Sequence, residues 1–179
     1  MQSPKKQKNL IRVLFTVLFL FVFHVQSFAT IWYVKPTSTG SGDGTSWANA
    51  SASIQTIING ASAGDQIWFA QGTYTTPGGG GVNVNNFTTT YSFQFKDGVE
   101  MYGGFNGTET LLSQRNYEQN ETKLVGDGNA VFIGDGTLSR NTRLDGFSIL
   151  NGRSSSFRNG GGIDLGNGGG FRLDVNSSS

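Results

Sequence analysis

Short apolar segments recur along this chain, each closed by a corner rich in glycine, asparagine or serine, and none is long enough to fold alone. The clearest unit spans residues 142–163. Its apolar piece, LDGFSIL, is followed by Asn151-Gly152, a serine loop, a glycine run and a second apolar start at Ile163. Leu144 opens an alternation that Phe147 and Ile149 continue one residue out of step. Gly146 lies between them, where a bulge or bend shifts the register. Such a unit can bury its apolar side only by stacking on others like it.

The stack has a loose period. The apolar centres Ile67, Val99, Leu124 and Phe147 are spaced by 32, 25 and 23 residues. Three short strands and three corners take roughly 20–25 residues, the length of one turn of a parallel β-helix, and an insertion at a corner lengthens a turn without breaking the stack. The competing architecture is a β-sandwich, which favours evenly spaced hairpins with two-residue Asn-Gly turns. The five Asn-Gly pairs here (at 59, 106, 151, 159 and 167) do not separate matched strands. The expected fold is therefore all-β, a right-handed parallel β-helix or solenoid.

The first 29 residues stand apart. Lys5, Lys6, Lys8 and Arg12 give a basic start, residues 13–23 are an apolar run, and Ser27-Phe28-Ala29 offers small residues at the minus three and minus one positions. This pattern predicts a secretory signal peptide over residues 1–29, cut between Ala29 and Thr30. The rival is a membrane anchor, but the run is shorter than the roughly 18 apolar residues a spanning helix needs. Residues 30–179 form the expected β-helix domain, with no membrane-spanning segment. Without the leader, nine basic side chains face 12 acidic ones, a formal charge of about −3. A nucleic-acid partner is not expected, since phosphate binding needs a basic face.

The single histidine, His24, leaves with the leader, and the chain has no cysteine. Ser-His-Asp and Cys-His nucleophile systems and the usual zinc sites are thereby excluded from residues 30–179. Glycine reaches 27 residues without a Gly-X-Y period, which excludes collagen. The 14 phenylalanines and three tryptophans supply a core, against disorder.

In chain order, residues 31–34 form a strand ended by Pro36. Residues 38–47 form a glycine-rich loop whose Trp47 pins it to the core. Residues 53–61 form a short helix, with Ile54, Ile57, Ile58 and Ala61 at i, i+3, i+4 and i+7. Ser51 and Ser53 are its candidate N-caps, Gly60 and Gly64 its stops, and the helix plugs the N-terminal end of the stack. Residues 65–70 form a strand with Ile67 and Phe69 on one face and Trp68 on the other, so something must cover its outside: the helix or a later loop. Trp68 packs there; the alternative is an exposed sugar-stacking platform. Residues 76–86 are a corner insertion. Strands resume at Phe93, Phe95, Val99, Met101 and Tyr102, with Asp97-Gly98 as a turn and Gly103-Gly104 as the end of that layer. Residues 106–121 are polar and irregular, and strands follow at 123–125 and 131–133.

Several of these segments occur together in a known setting. YVKPTSTGSGDGTSWANA, GDQIWFAQGTY, FKDGVEMYGGFNGTET, LDGFSILNG and GGGI, in this order, resemble the N-terminal part of large exported β-helix proteins of Bacteroidetes-type bacteria. That group is related to pectin-lyase-like proteins and to chlamydial polymorphic outer membrane proteins. Gly160-Gly161-Gly162-Ile163 is similar to the Gly-Gly-Ala-Ile element of the polymorphic proteins, whereas Phe157-Arg158-Asn159 is one residue short of their Phe-x-x-Asn. The resemblance implies further turns beyond residue 179 and a location outside the cell or at the outer membrane surface. The scaffold hosts adhesins, lyases and hydrolases alike.

Carboxylates and arginines are what remain for chemistry. Asp43, Asp127 and Asp135 each sit between two glycines, a setting that suits either a plain turn or one ligand of a Ca²⁺ site. One carboxylate per loop does not make such a site, so no cofactor is assigned. Asp127 with Asp135, or Asp145 with Asp164, are the pairs that stacking could bring together for glycoside hydrolysis. Arg143, Arg153 and Arg158 are the bases a lyase would use. No motif joins them, and no catalytic, cofactor or metal residue is assigned. The reading is an exported surface module for binding or adhesion, with a polysaccharide or cell-surface ligand as partner. The alternative is the N-terminal portion of a polysaccharide lyase or glycoside hydrolase with its catalytic turns beyond residue 179. Intact mass of the protein exported by its native cells tests the leader: the expected new N-terminus is Thr30, and a chain ending at Ser179 would weigh about 16 kDa.

Overall fold

The structure is a computed structural model, and it describes residues 29–76, 92–126, 130–134, 137–152, 163–164 and 172–174. Its strands are β1 (Ile31–Val34), β2 (Gln66–Ala70), β3 (Gly72–Thr75), β4 (Phe93–Gln94), β5 (Glu100–Phe105), β6 (Thr122–Val125), β7 (Phe132–Ile133), β8 (Arg143–Asp145), β9 (Ser148–Leu150), β10 (Ile163–Asp164) and β11 (Arg172–Asp174). One α-helix, α1 (Ile54–Gly60), and two 3₁₀ turns, Trp47–Asn49 and Leu112–Gln114, complete the described elements. The class is all-β, as expected from the short apolar segments.

The strands lie in three sheets, ordered β1-β2-β5-β8-β11, β3-β6-β9 and β4-β7-β10. Every pairing is parallel. From β2 onward the chain visits the sheets in strict rotation, so each strand pairs with the one three places later. Parallel neighbours need such crossovers, because a tight hairpin can join only antiparallel strands.

Register stacks like on like. Trp32, Ile67, Met101 and Leu144 are in line on the first sheet. Tyr74, Leu124 and Ile149 are in line on the second, and Phe93, Phe132 and Ile163 on the third. All of them join one apolar cluster between the sheets. Phe95 and Phe132 stack within it, ring centroids 4.4 Å apart. The register corrects the expected spacing. In-line residues on the first sheet, Ile67, Met101 and Leu144, are 34 and 43 residues apart. Leu124 belongs to the second sheet, and Phe147 falls between β8 and β9. Apolar centres look alike whichever side of the stack they occupy, so spacing alone mixed the sides.

The corners explain the glycines. LDGFSIL is two strands, β8 and β9, on different sheets, rather than one strand. Gly146, at φ +81°, makes the corner between them. Gly72, at φ +137°, follows the corresponding β2–β3 corner. Gly103 and Gly104 lie inside β5 and do not end it. A Cβ on Gly103 would stand 2.3 Å from the carbonyl oxygen of Gly146, so the two backbones approach where no side chain fits. The corner threonine Thr122, itself buried, accepts a hydrogen bond from Gly104 N–H through Oγ1, at 3.0 Å.

Helix α1 matches the sequence reading closely. Ile54, Ile57, Ile58 and Ala61 join the central cluster. Ser53 is the N-cap residue, but its side chain makes no cap bond, and the C-cap is Ala61 rather than a glycine. The helix also closes the edge of β4. The Gln55 amide accepts from Gln94 N–H at 2.8 Å and donates to the Gln94 carbonyl at 3.4 Å, replacing a strand neighbour. Lys96 Nζ donates to the carbonyls of Asn59 and Ala61 at the helix end. The edge of β1 is covered likewise: Tyr33 N–H donates to Gly44 O, and Ser51 N–H to Tyr33 O. Both covers remove unpaired strand edges that invite association. Among the described residues no helix is long and apolar enough to cross a membrane.

Gly103→Ala is expected to lower the unfolding free energy by about 1–3 kcal/mol, the cost of overpacking. Gly60→Ala, whose Cβ meets open space, is expected to raise it by about 0.5 kcal/mol through the unfolded chain. Urea unfolding of the two variants checks both signs.

Candidate functional site

The site grows from a packing problem on the first sheet. Ile67 and Phe69 of β2 point into the core, which leaves Trp68 on the outer face. Below Tyr33 and above Tyr102 in register, it extends a column of aromatics along that face. Trp68 is only 1% exposed, so it is a packed side chain and not an open platform. Phe105 stacks on it with centroids 4.5 Å apart. Trp47 packs edge-on against Tyr33 at 4.8 Å, and Leu112 completes the cluster. The helix does not supply this cover: it comes from β5 through Phe105, from the first glycine-rich loop through Trp47 and from the later loop through Leu112.

That loop, residues 106–121, is inserted at the corner between β5 and β6. It is fastened at several points. Trp47 Nε1 donates to Glu109 O at 2.8 Å, and Asn116 N–H to Gly104 O at 2.7 Å. Arg115 donates to Asp145 Oδ2 at 2.9 Å, and Arg143 reaches the same oxygen at 2.8 Å. Both guanidinium groups also lie over the Tyr102 ring, at 5.1 and 5.3 Å from its centroid. Asp145 is 4% exposed, whereas the side chains of Arg115 and Arg143 keep 17% and 26% of their exposure. Next to it Glu100 accepts from Gln66 Nε2 at 3.2 Å and from the Tyr102 hydroxyl at 3.1 Å. Burial first, and then the Glu100 charge, push the Tyr102 phenol above its ordinary range, which keeps it a neutral donor.

On its solvent side the loop encloses a hollow of about 430 Å³, lined by Asn106, Thr108, Glu109, Thr110, Gln114, Asn116, Gln119 and Asn120. Its carboxamides are oriented from behind. Gln114 Oε1 accepts from the N–H groups of Thr110 and Leu111, at 2.8 and 2.9 Å. Asn116 Oδ1 accepts from those of Glu118 and Gln119, at 3.2 and 3.1 Å. With each oxygen committed, the NH₂ group of each faces no acceptor among the described residues, and the side chains of Asn106 and Gln119 are equally unengaged. Glu109 receives the N–H groups of Asn106, Gly107 and Thr108 at 2.6, 2.9 and 3.0 Å. Burial pulls its carboxyl up, but these bonds outweigh that effect and hold it below the usual carboxylate range, so it is ionised at neutral pH. The hollow thus offers several fixed donors and one fixed negative charge, with no lysine or arginine in its wall.

The carboxylates singled out by sequence fare differently. Asp43 is spent inside its own loop, accepting from Thr45 N–H at 2.9 Å, Thr45 Oγ1 at 2.7 Å and Ser41 Oγ at 2.7 Å. Asp127, Asp135, Arg153 and Arg158 lie outside the described residues. Asp145 and Asp164 stand on the first and third sheets, in register with Tyr102 and Ile133 respectively, so stacking does not align them as a pair. Arg143 serves Asp145. Among the described residues no group of three or more His, Cys, Asp or Glu is arranged to hold a metal ion. The carboxamide hollow was not anticipated. The only signal for it was the density of Asn, Gln and Thr in NGTETLLSQRNYEQN, which reads equally as a plain loop.

Comparison of the chain with models of known protein families, with curated proteins and with solved structures finds no match. Asp145→Ala would remove the carboxylate that Arg115 and Arg143 share. The expected loss is about 1–2 kcal/mol, below the range for a fully buried pair because both guanidinium groups keep solvent contact. Chemical denaturation measures it, and faster amide exchange confined to residues 106–121 locates it.

Proposed function

We propose that this chain is an exported right-handed parallel β-helix, held at or beyond the outer surface of the cell, that serves as a binding or adhesion module for neutral polysaccharide. The rotation of consecutive strands through three parallel sheets supports the β-helix reading, since each full circuit returns the chain to its starting sheet one strand further along. The basic, apolar and small-residue pattern of residues 1–29 supports export.

The observation that carries the ligand class is the hollow over the first sheet. Spare NH₂ donors call for acceptors on the ligand, and the Glu109 carboxylate calls for donors. A hydroxyl is both at once. An anion meets the Glu109 charge with no cation in the wall, and a metal cation meets amide oxygens already committed elsewhere. A neutral polyhydroxylated ligand satisfies both sets. The hollow is small, so useful affinity comes from many copies meeting a repeating polymer.

The test titrates the exported protein with a panel of neutral oligosaccharides and assays each for new reducing ends. Binding without turnover is expected. Asn116→Asp and Gln114→Glu keep the oxygen that orders the loop and replace the NH₂ donor by an acceptor. Each is expected to weaken binding about tenfold or more with the melting temperature unchanged, because a ring or glycosidic oxygen on the ligand, which can only accept, is left without its donor. Loss of binding only in variants that also unfold, or turnover of a polysaccharide, would overturn the module reading, and turnover would assign the chain to a carbohydrate-active enzyme.

A further inference from the structure

A second polar site lies at the start of the fold, away from the hollow. Asp65 precedes β2 and is 8% exposed. Its Oδ1 accepts from Thr30 N at 2.8 Å. Its Oδ2 accepts from Ser62 N–H at 2.8 Å and from Trp32 Nε1 at 3.2 Å. Burial raises its carboxyl pKa, but the hydrogen bonds from Ser62, Thr30 and Trp32 prevail and lower it overall, so Asp65 carries a charge at neutral pH. None of the ion pairs among the described residues includes Asp65. These donors already hold the carboxylate charged, and a positive charge at the Thr30 nitrogen adds a charge-assisted bond to them.

The position of Thr30 supplies one. Thr30 is the residue that cleavage after Ala29 would make the N-terminus, and both residues are exposed. We propose that Asp65 is the receptor for the processed N-terminus, so that removal of the leader completes an ion pair at the head of β1. The inference rests on the leader reading of residues 1–29. Water, delivered by a leader-removing protease, adds its hydroxyl to the Ala29 carbonyl carbon. The Ala29–Thr30 C–N bond breaks and the proton passes to the departing nitrogen. The resulting amine takes a further proton from solvent and becomes an ammonium at the position where the amide N–H already points at Asp65 Oδ1. Gln66 N–H donates to Thr30 O at 2.9 Å, which holds Thr30 at the head of β1 beside β2. The chemical class recognised is a primary ammonium on an extended chain, and a neutral amide bond in its place keeps one hydrogen bond but not the charge.

The experiment uses the exported, processed protein. Its N-terminal residue is first read by mass spectrometry, and the reactivity of the α-amine toward an acylating reagent is then compared between the native chain and Asp65→Asn. Slower acylation of the native chain, by about tenfold or more, is expected from a charge-assisted hydrogen bond. Because Asp65→Asn could fail to fold, a second variant carries one extra glycine between Ala29 and Thr30. It displaces the ammonium by one residue and leaves Asp65 and Thr30 N–H in place. This variant is expected to lower the folding equilibrium constant by about tenfold. An N-terminus at Thr30 that reacts as fast as in Asp65→Asn, or a glycine extension without effect on folding, would overturn the ion pair while leaving the export reading intact. An N-terminus elsewhere, or a retained leader, would overturn both.

Discussion

A sheet that is apolar on both faces has to be covered on both. The chain meets this demand at β2. Its inward residues Ile67 and Phe69 are served by the stack itself, but Trp68 looks the other way. Burying a side chain of that size is worth roughly 2–3 kcal/mol, provided something dry sits on it. Phe105 of β5, Trp47 of the first glycine-rich loop and Leu112 of the insertion at residues 106–121 provide that surface between them. The arginine clamp and the hollow belong to the same insertion that brings Leu112 onto this face.

The same economy governs the edges. A parallel stack exposes a strand edge in each sheet, and two of these are closed without a further strand. On β4 one glutamine amide supplies the donor and the acceptor that a neighbour would have presented. On β1 the segment from Gly44 to Ser51 is bonded along the strand in its place. Both devices draw on the region before β2, where the only described α-helix lies. The helix is thus tied to the strands by polar geometry as well as by its isoleucines.

Much of the fold was legible in the sequence because it follows local periodicity. The short apolar runs at residues 31–34, 65–70 and 123–125 marked strands, and Ile54, Ile57, Ile58 and Ala61 marked the helix. The inward and outward roles of Ile67, Phe69 and Trp68 were also readable. Phase was not. Val99, Leu124 and Phe147 are equally apolar wherever they stand in the circuit, and a glycine can bend a strand or end it. Gly146 turned out to separate two sheets, whereas Gly103 and Gly104 sit within a strand. The candidate site was hidden for a different reason. Carboxamides have no periodicity, and whether Gln114 or Asn116 points a donor outward depends on which backbone N–H captures its oxygen. Asp65 was equally silent, since two of its three partners, Thr30 and Trp32, are brought to it only by the pairing of β1 with β2.

The insertion at the β5–β6 corner contrasts with its counterparts. At β2–β3 and β8–β9 the same corner is one or two residues long, and at β8–β9 a glycine backbone is packed too tightly to lengthen freely. One level of the stack can therefore vary in sequence while those above and below it hold the register. The attachments at Glu109, Arg115 and Asn116 act as sockets, and the carboxamides between and beyond them are the part that can be exchanged. Descendants of such a chain could rewrite about a dozen loop residues and inherit the strand ladder intact.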